Sequence, residues 1–200
     1  MLLLVTGASG QGTSTARRAV APRLADEGVE CVEFSDLVEI PEAPDTAWRQ
    51  RSAEEVVRHA LTLERSGRHL LFAGDPLAPG EIVGAPSGPA LGTFDVLLLD
   101  ADAATQTARL TGRGPVVGEL EHHVAFATWF RGHVHDAAHR SHVLTAQGWD
   151  GLAAERLVGR PWRAAVLDTT GLGSDAVADA VAAWALRCLR RGRGSAPAGP

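Results

Sequence analysis

LLLVTGASGQGTST, residues 2–15, joins an unbroken apolar run to a glycine-rich turn and then to a stretch of small and hydroxylated residues. A short run such as Leu2–Thr6, apolar at successive positions, is what a central parallel strand covered on both faces requires. Gly7, Gly10 and Gly12 let the backbone curl so that its N–H groups point inward. A helix starting near Thr13 would add its positive end to that cradle. Strand, curled glycine turn and helix together read as a phosphate-binding loop in an α/β nucleotide-binding chain.

Outward from the loop, strand and helix patterns alternate. Thr13 to Glu27 reads as a helix stopped by Gly28, and Val29–Ser35 as a second strand. Asp45–Ser66 is a long amphipathic helix closed by Gly67, and Leu70–Gly74 a third strand. Pro76–Thr93, rich in Pro, Gly and Ala, reads as a binding loop. Phe94–Leu99 is a fourth strand, Ala103–Thr111 a helix, and Val116–Leu157 a polar helical stretch anchored by Trp129 and Trp149. Ala164–Leu167 is a fifth strand, Ser174–Leu189 a last helix with Ser174 as its N-cap, and residues 191–200 a loose tail. The alternation predicts a parallel sheet in one domain over 1–190. Ligands in such sheets bind beyond the carboxyl ends of the strands. That rule gathers Gly7–Thr15, Asp36, Asp75 and Asp168 into one site.

Composition removes several chemistries. The formal charge is −5, with no basic surplus of the kind nucleic-acid binding needs. No apolar run is long enough to cross a membrane, and the first residues lack the basic flank of a signal peptide, so the expected setting is the cytoplasm. Cys31 and Cys188 read as free thiols, and the expected assembly is a monomer or homodimer. The chain has neither lysine nor tyrosine, so every fixed side-chain cation is an arginine. Schiff-base chemistry, a lysine–phosphate contact and a Tyr–Lys pair are therefore absent.

Gly7-Ala-Ser-Gly-Gln-Gly12-Thr13-Ser14 resembles the Walker A pattern G-x-x-x-x-G-K-[ST] with Thr13 in the lysine's place. Thr6–Gly12 also resembles the TGxxGxxG turn of short-chain dehydrogenases. In that reading Asp36 would hold a ribose hydroxyl, and the chain would be a non-catalytic dinucleotide sensor. The third glycine is out of register for that turn, and the Tyr and Lys of its chemistry are missing. Later segments favour the first resemblance. Leu110-Thr-Gly-Arg113-Gly is similar to the segment opening the lid of small P-loop kinases, and Val166-Leu-Asp-Thr-Thr170 to their last strand and following turn. The whole order of pieces resembles the P-loop kinases of nucleosides, nucleotides, shikimate and antibiotics.

That resemblance implies a three-layer α/β fold with a five-stranded parallel sheet ordered 2-3-1-4-5 and a helical lid over about residues 113–160. It implies ATP or GTP with Mg²⁺, and a small-molecule hydroxyl or phosphate as acceptor. Gly7, Ser9, Gly10, Gln11, Gly12, Thr13, Ser14 and Thr15 would hold the phosphates, with Ser14 and Asp75 at the metal. Asp36 would take the acceptor's proton, and Trp48, Arg49 and Arg51 would lie where the acceptor is held. Arg113, with Arg109, would reach the transferring phosphate from the lid and make good the missing lysine charge. A binding protein with little catalysis is the second reading. His122, His123, His133, His135, His139 and His142 read as a polar lid; the last three are spaced for one helix face, without the carboxylate or cysteine pattern of a zinc site.

Overall fold

The computed structural model describes residues 1–113, 120–139 and 162–194. Five strands form one parallel sheet: β1 (Leu2–Thr6), β2 (Val29–Val32), β3 (His69–Phe72), β4 (Phe94–Asp100) and β5 (Trp162–Asp168). Their order is β2-β3-β1-β4-β5. β3, not β2, lies beside β1, which separates this sheet from the 3-2-1-4-5 order of the dinucleotide-binding fold and sets the sensor reading aside.

The apolar runs are unbroken because both faces are covered. Leu2, Leu4, Leu70, Phe72, Val96 and Leu98 face one core, shared with α3 (Thr46–Arg65), α4 (Pro79–Gly84) and α6 (Leu120–His135). Their neighbours Leu3, Val5, Leu71, Ala73, Leu97 and Leu99 face the other, under α1 (Thr13–Leu24) and α7 (Ser174–Gly194). Alternation along each strand thus splits one apolar run between two cores. At about 25 cal/mol per Å² of apolar area, these two interfaces are the main source of stability.

Four expectations need correction. β2 stops at Val32, and Phe34–Leu37 forms a short helix, α2. The Asp36 carboxylate accepts the Glu33 N–H (2.9 Å), and Phe34 turns into the core against Phe72 and Trp48, so an alternating VEFSD run is bent into a turn. Pro76–Thr93 contains α4 and a 3₁₀ turn (Gly88–Leu91), and Leu77–Ala85 is buried. Pro79 is tolerated there because it stands in the first turn, where its missing N–H has no helical partner. β5 begins at Trp162 and α7 continues to Gly194, with Gly173, not Ser174, supplying the carbonyl that accepts the first helical bond (3.1 Å). Residues 195–200 of the expected tail lie outside the described residues.

α5 (Ala103–Thr111) has its expected bounds, and Asp45 caps α3 by accepting the Trp48 N–H. Trp129 is a buried anchor of α6; Trp149 and much of the expected lid lie outside the described residues. Both cysteines are free thiols. Among the described residues no helix is long and apolar enough to cross a membrane.

Candidate functional site

The loop sits beyond the carboxyl end of the central strand. Gly12 caps α1 with φ +98° and Gly10 has φ +88°, conformations that favour glycine. A Cβ on Gly7 would lie 2.5 Å from the Leu99 carbonyl oxygen, so glycine is needed there for close approach to β4. The loop is held from beneath by α5, where Gln106 Nε2 donates to Ser9 O (2.9 Å) and to His123 O in α6 (3.1 Å). Gln106 carried no sequence motif. The Gln11 side chain is buried, and neither of its polar atoms has a partner.

On the β5 side of the loop, Gln11, Gly12, Thr15 and Ala16 face Arg109, Arg113, Leu172 and Ser174 across a cavity of about 160 Å³. Arg109 donates to Thr169 Oγ1 (2.9 Å) and Thr169 O (2.7 Å), fixing its guanidinium to the turn after β5. Asp168 accepts the Thr170 N–H (2.8 Å) and so orders that turn. Arg113 is exposed at the end of the described part of its segment. The next strand end carries a pair the sequence did not reveal: Arg131 of α6 donates to Asp100 Oδ2 (2.6 Å) and Ala101 O (2.9 Å).

On the β2–β3 side, carboxylates collect. Thr13 Oγ1 and Ser14 Oγ both donate to Gly74 O (3.1 Å each). Glu33, the first residue after β2, packs on Gly74 so closely that a Cβ there would lie 2.8 Å from its Cβ. Arg17 bridges Glu33 Oε1 (2.7 Å) and Asp36 Oδ2 (3.1 Å). Asp75 accepts the Phe34 N–H (2.7 Å). Burial, with Glu33 nearby, pushes the Asp75 carboxyl above the usual range, against the pull of that hydrogen bond and of Arg49 and Arg17. The structure therefore brings Asp36, Asp75, Thr13 and Ser14 to one place and adds Glu33 and Arg17. Both additions are visible only as partners across the fold.

Of the three residues expected at the acceptor, Arg49 is drawn away from Trp48 and Arg51. Arg49 pairs with the buried Glu81 through Nε and, at 2.8 Å, through Nη2, and donates to Pro76 O (2.6 Å). Glu81 in turn accepts the Ala78 N–H that opens α4 (2.8 Å). Trp48 is half-buried, meets Phe34 edge-on at 5.6 Å and donates from Nε1 to Glu39 O. With Arg51, Glu39 and Asp45 it lines an open groove of about 410 Å³.

The histidines do not form one face. α6 ends at His135, so His139 lies on the following turn, and His142 lies outside the described residues. His133 is fully buried, stacks on Trp129 at 4.8 Å and accepts the Gly80 N–H of α4 (3.0 Å). Among the described residues no group of three or more His, Cys, Asp or Glu could hold a metal unaided. A hard cation that keeps its waters and shares its ligands with phosphates needs no such group. The Ser14 hydroxyl and the neighbouring Asp75 carboxylate are an oxygen donor set of the required kind.

No family model matches the chain, and no curated protein sequence does. Solved structures do. A sugar kinase from Janibacter sp. HTCC2649, unliganded, aligns over 94% of this chain and 94% of its own, with 17% identity and a TM-score of 0.53. Deoxyadenosine kinase from M. mycoides, solved with dATP, aligns over 93% of this chain and all of its own, with 12% identity and a TM-score of 0.46. The likeness is one of fold: a three-layer α/β arrangement with a parallel sheet ordered 2-3-1-4-5 and helices on both faces.

Proposed function

We propose that this chain is an ATP–Mg²⁺-dependent phosphotransferase acting on a hydroxyl of a small molecule. One observation carries the reading: the glycine loop opening α1 lies between an arginine-lined cavity on one side and a set of carboxylates on the other. Phosphoryl transfer needs that arrangement, because catalysis is mostly positioning and charge stabilisation. The nucleotide would lie in the cavity beside Arg109, Leu172 and Ser174, with its phosphates on the N–H groups of Gly7–Thr15. Arg113 would close on them from the lid. Ser14 and Asp75 would hold Mg²⁺, which would supply positive charge to the phosphates.

The acceptor side offers Asp36 and Glu33 as proton acceptors. Asp36 Oδ2 is already engaged by the Glu33 N–H and by Arg17, and its side chain is 42% exposed. Glu33 shares the Arg17 contact, through Oε1 at 2.7 Å, but is more enclosed, at 22%, and lies against Gly74, whose carbonyl receives the loop hydroxyls. We therefore assign proton acceptance to Glu33, with Asp36 holding its backbone.

Calorimetry with ATP, GTP and NADPH, followed by turnover over an acceptor panel of sugars, nucleosides and nucleoside monophosphates, tests this reading. ATP or GTP binding with phosphorylation of a hydroxyl acceptor is expected. NADPH binding in place of ATP overturns it. Tight ATP binding without turnover on any acceptor favours a regulatory nucleotide binder, a second reading supported by Thr13, whose hydroxyl is given to Gly74 O where a lysine would carry charge.

A further inference from the structure

A phosphate lying on Gly7–Thr15 would meet backbone N–H groups and a threonine, and no lysine exists anywhere in the chain to neutralise it. Arginines must carry that charge. Arg18 is exposed on α1. Arg109 is held by Thr169 at the cavity wall, and Arg131 is committed to Asp100 and Ala101. Arg113 is exposed on the far wall of the cavity, opposite Gln11 and Thr15.

Arg17 differs from all four. It stands one helical turn after Thr13 on nearly the same face of α1. Its side chain is only 15% exposed. Its guanidinium is directed to the mouth between β2 and β3, where Nη2 meets Glu33 and Nη1 meets Asp36. Glu33 packs on Gly74, and Gly74 O receives the hydroxyls of Thr13 and Ser14. A chain of contacts through Glu33 and Gly74 therefore links the guanidinium to the residues at the lysine and metal positions of the loop. A guanidinium has five N–H donors in a planar fork, so it can keep one carboxylate and turn other N–H groups to a phosphate. Its Nε–H is buried with no acceptor, so the fork is not saturated.

We propose that Arg17 replaces the missing lysine as the resident cation on the transferring end of the phosphates, held ready by Glu33 and Asp36. Charge lost at position 13 is restored one turn later, by a longer and wider side chain that reaches back. This inference rests on the reading that the loop holds nucleotide phosphates.

The test is calorimetric binding of MgATP and of adenosine to the wild type, to Arg17→Gln and to Thr13→Lys/Arg17→Gln, with thermal unfolding as a check on folding. Arg17→Gln is expected to weaken MgATP by roughly 30-fold or more while adenosine binds as before, as for loss of a charge-assisted phosphate contact. Thr13→Lys in that background is expected to restore MgATP affinity to within about fivefold of wild type, because it returns the point charge to its usual place. Should Arg17→Gln not fold because two carboxylates are left facing each other, Arg17→Gln/Glu33→Gln relieves them and is read in the same binding assay. Unchanged MgATP affinity overturns the inference. So does an equal loss of adenosine and ATP, or a loss that Thr13→Lys does not repair, each of which makes Arg17 a structural residue. A wild type that binds neither ligand overturns the nucleotide reading itself, a result distinct from failure at Arg17.

Discussion

The two ends of the sheet's carboxyl edge are built in different ways. The end under β1, β4 and β5 is backbone: left-handed glycines, a close approach of Gly7 to Leu99 O, and the Asp168 turn that holds Arg109. The end beyond β2 and β3 is side chains: Arg17 with Glu33 and Asp36, Arg49 with Glu81, and Asp75 on the Phe34 N–H. A backbone cradle binds whatever carries phosphate and tolerates almost no added atoms. An ion-pair network tolerates isosteric change but loses its chemistry when one partner goes. The difference is one of failure modes, and it can be broken experimentally.

The largest effect is expected at the backbone end. Gly7→Ala puts a Cβ 2.5 Å from a carbonyl of β4, and neither central strand can retreat. Overpacking of this kind costs about 1–3 kcal/mol, and nucleotide affinity should fall by more than about 100-fold because the loop must rise. Calorimetry and denaturant unfolding measure the two losses; a well-folded Gly7→Ala protein with normal ATP affinity would break the distinction. At the other end, Glu33→Gln keeps the shape and removes the base. Its kcat should drop by about 100-fold, in the range for loss of a general base, with ATP affinity nearly unchanged. Asp36→Asn should cost less than about tenfold, since its carboxylate acts through Glu33. The reverse order of the two variants would return proton acceptance to Asp36. Arg49→Met leaves Glu81 buried and unpaired, and should lower stability by about 2–3 kcal/mol in urea unfolding, with Glu81→Gln in the same chain recovering part of it. If Arg49→Met instead raised only an acceptor's KM without loss of stability, Arg49 would be an acceptor ligand and not a strut.

This division also governs what could be read from the chain. The glycine loop, the five strands and the bounds of α5 were legible because apolar period and glycine spacing act locally. α2 was not, since Val29–Ser35 alternates like a strand until the Asp36 carboxylate and the Phe34 ring bend it. α4 was hidden because Pro79 and Gly80 read as loop, although both fall in a first turn that Glu81 caps. Glu33, Arg17 and Gln106 have no local signature. Arg17 and Glu33 meet across 16 residues and Gln106 reaches Ser9 across 97, and only the parallel order brings them together. Trp162 was missed because the exposed Arg163 follows it; that arginine is there to pair with the buried Asp95 (2.9 Å).

The two ends are joined through the core by His133, which gives the most gradual of the expected effects. Its Nε2 accepts the Gly80 N–H, so α6 on the lid side holds α4 on the acceptor side, and its ring must be neutral at that nitrogen. Burial, with His139 adding to it and Asp136 opposing, lowers its pKa from 6.5 to about 4. The unfolded chain therefore takes up the proton first. The stability this neutral ring contributes is complete above pH 6.5 and is lost as pH falls from there toward 4, by at most about 3 kcal/mol. Urea unfolding of the wild type from pH 7 to pH 4 should show that decline, and His133→Phe, though less stable at pH 7 for want of an acceptor for Gly80, should show a shallower one. An equally steep decline in His133→Phe would place the acid sensitivity elsewhere. It would also leave the two ends joined by packing alone, with no titrating contact between them.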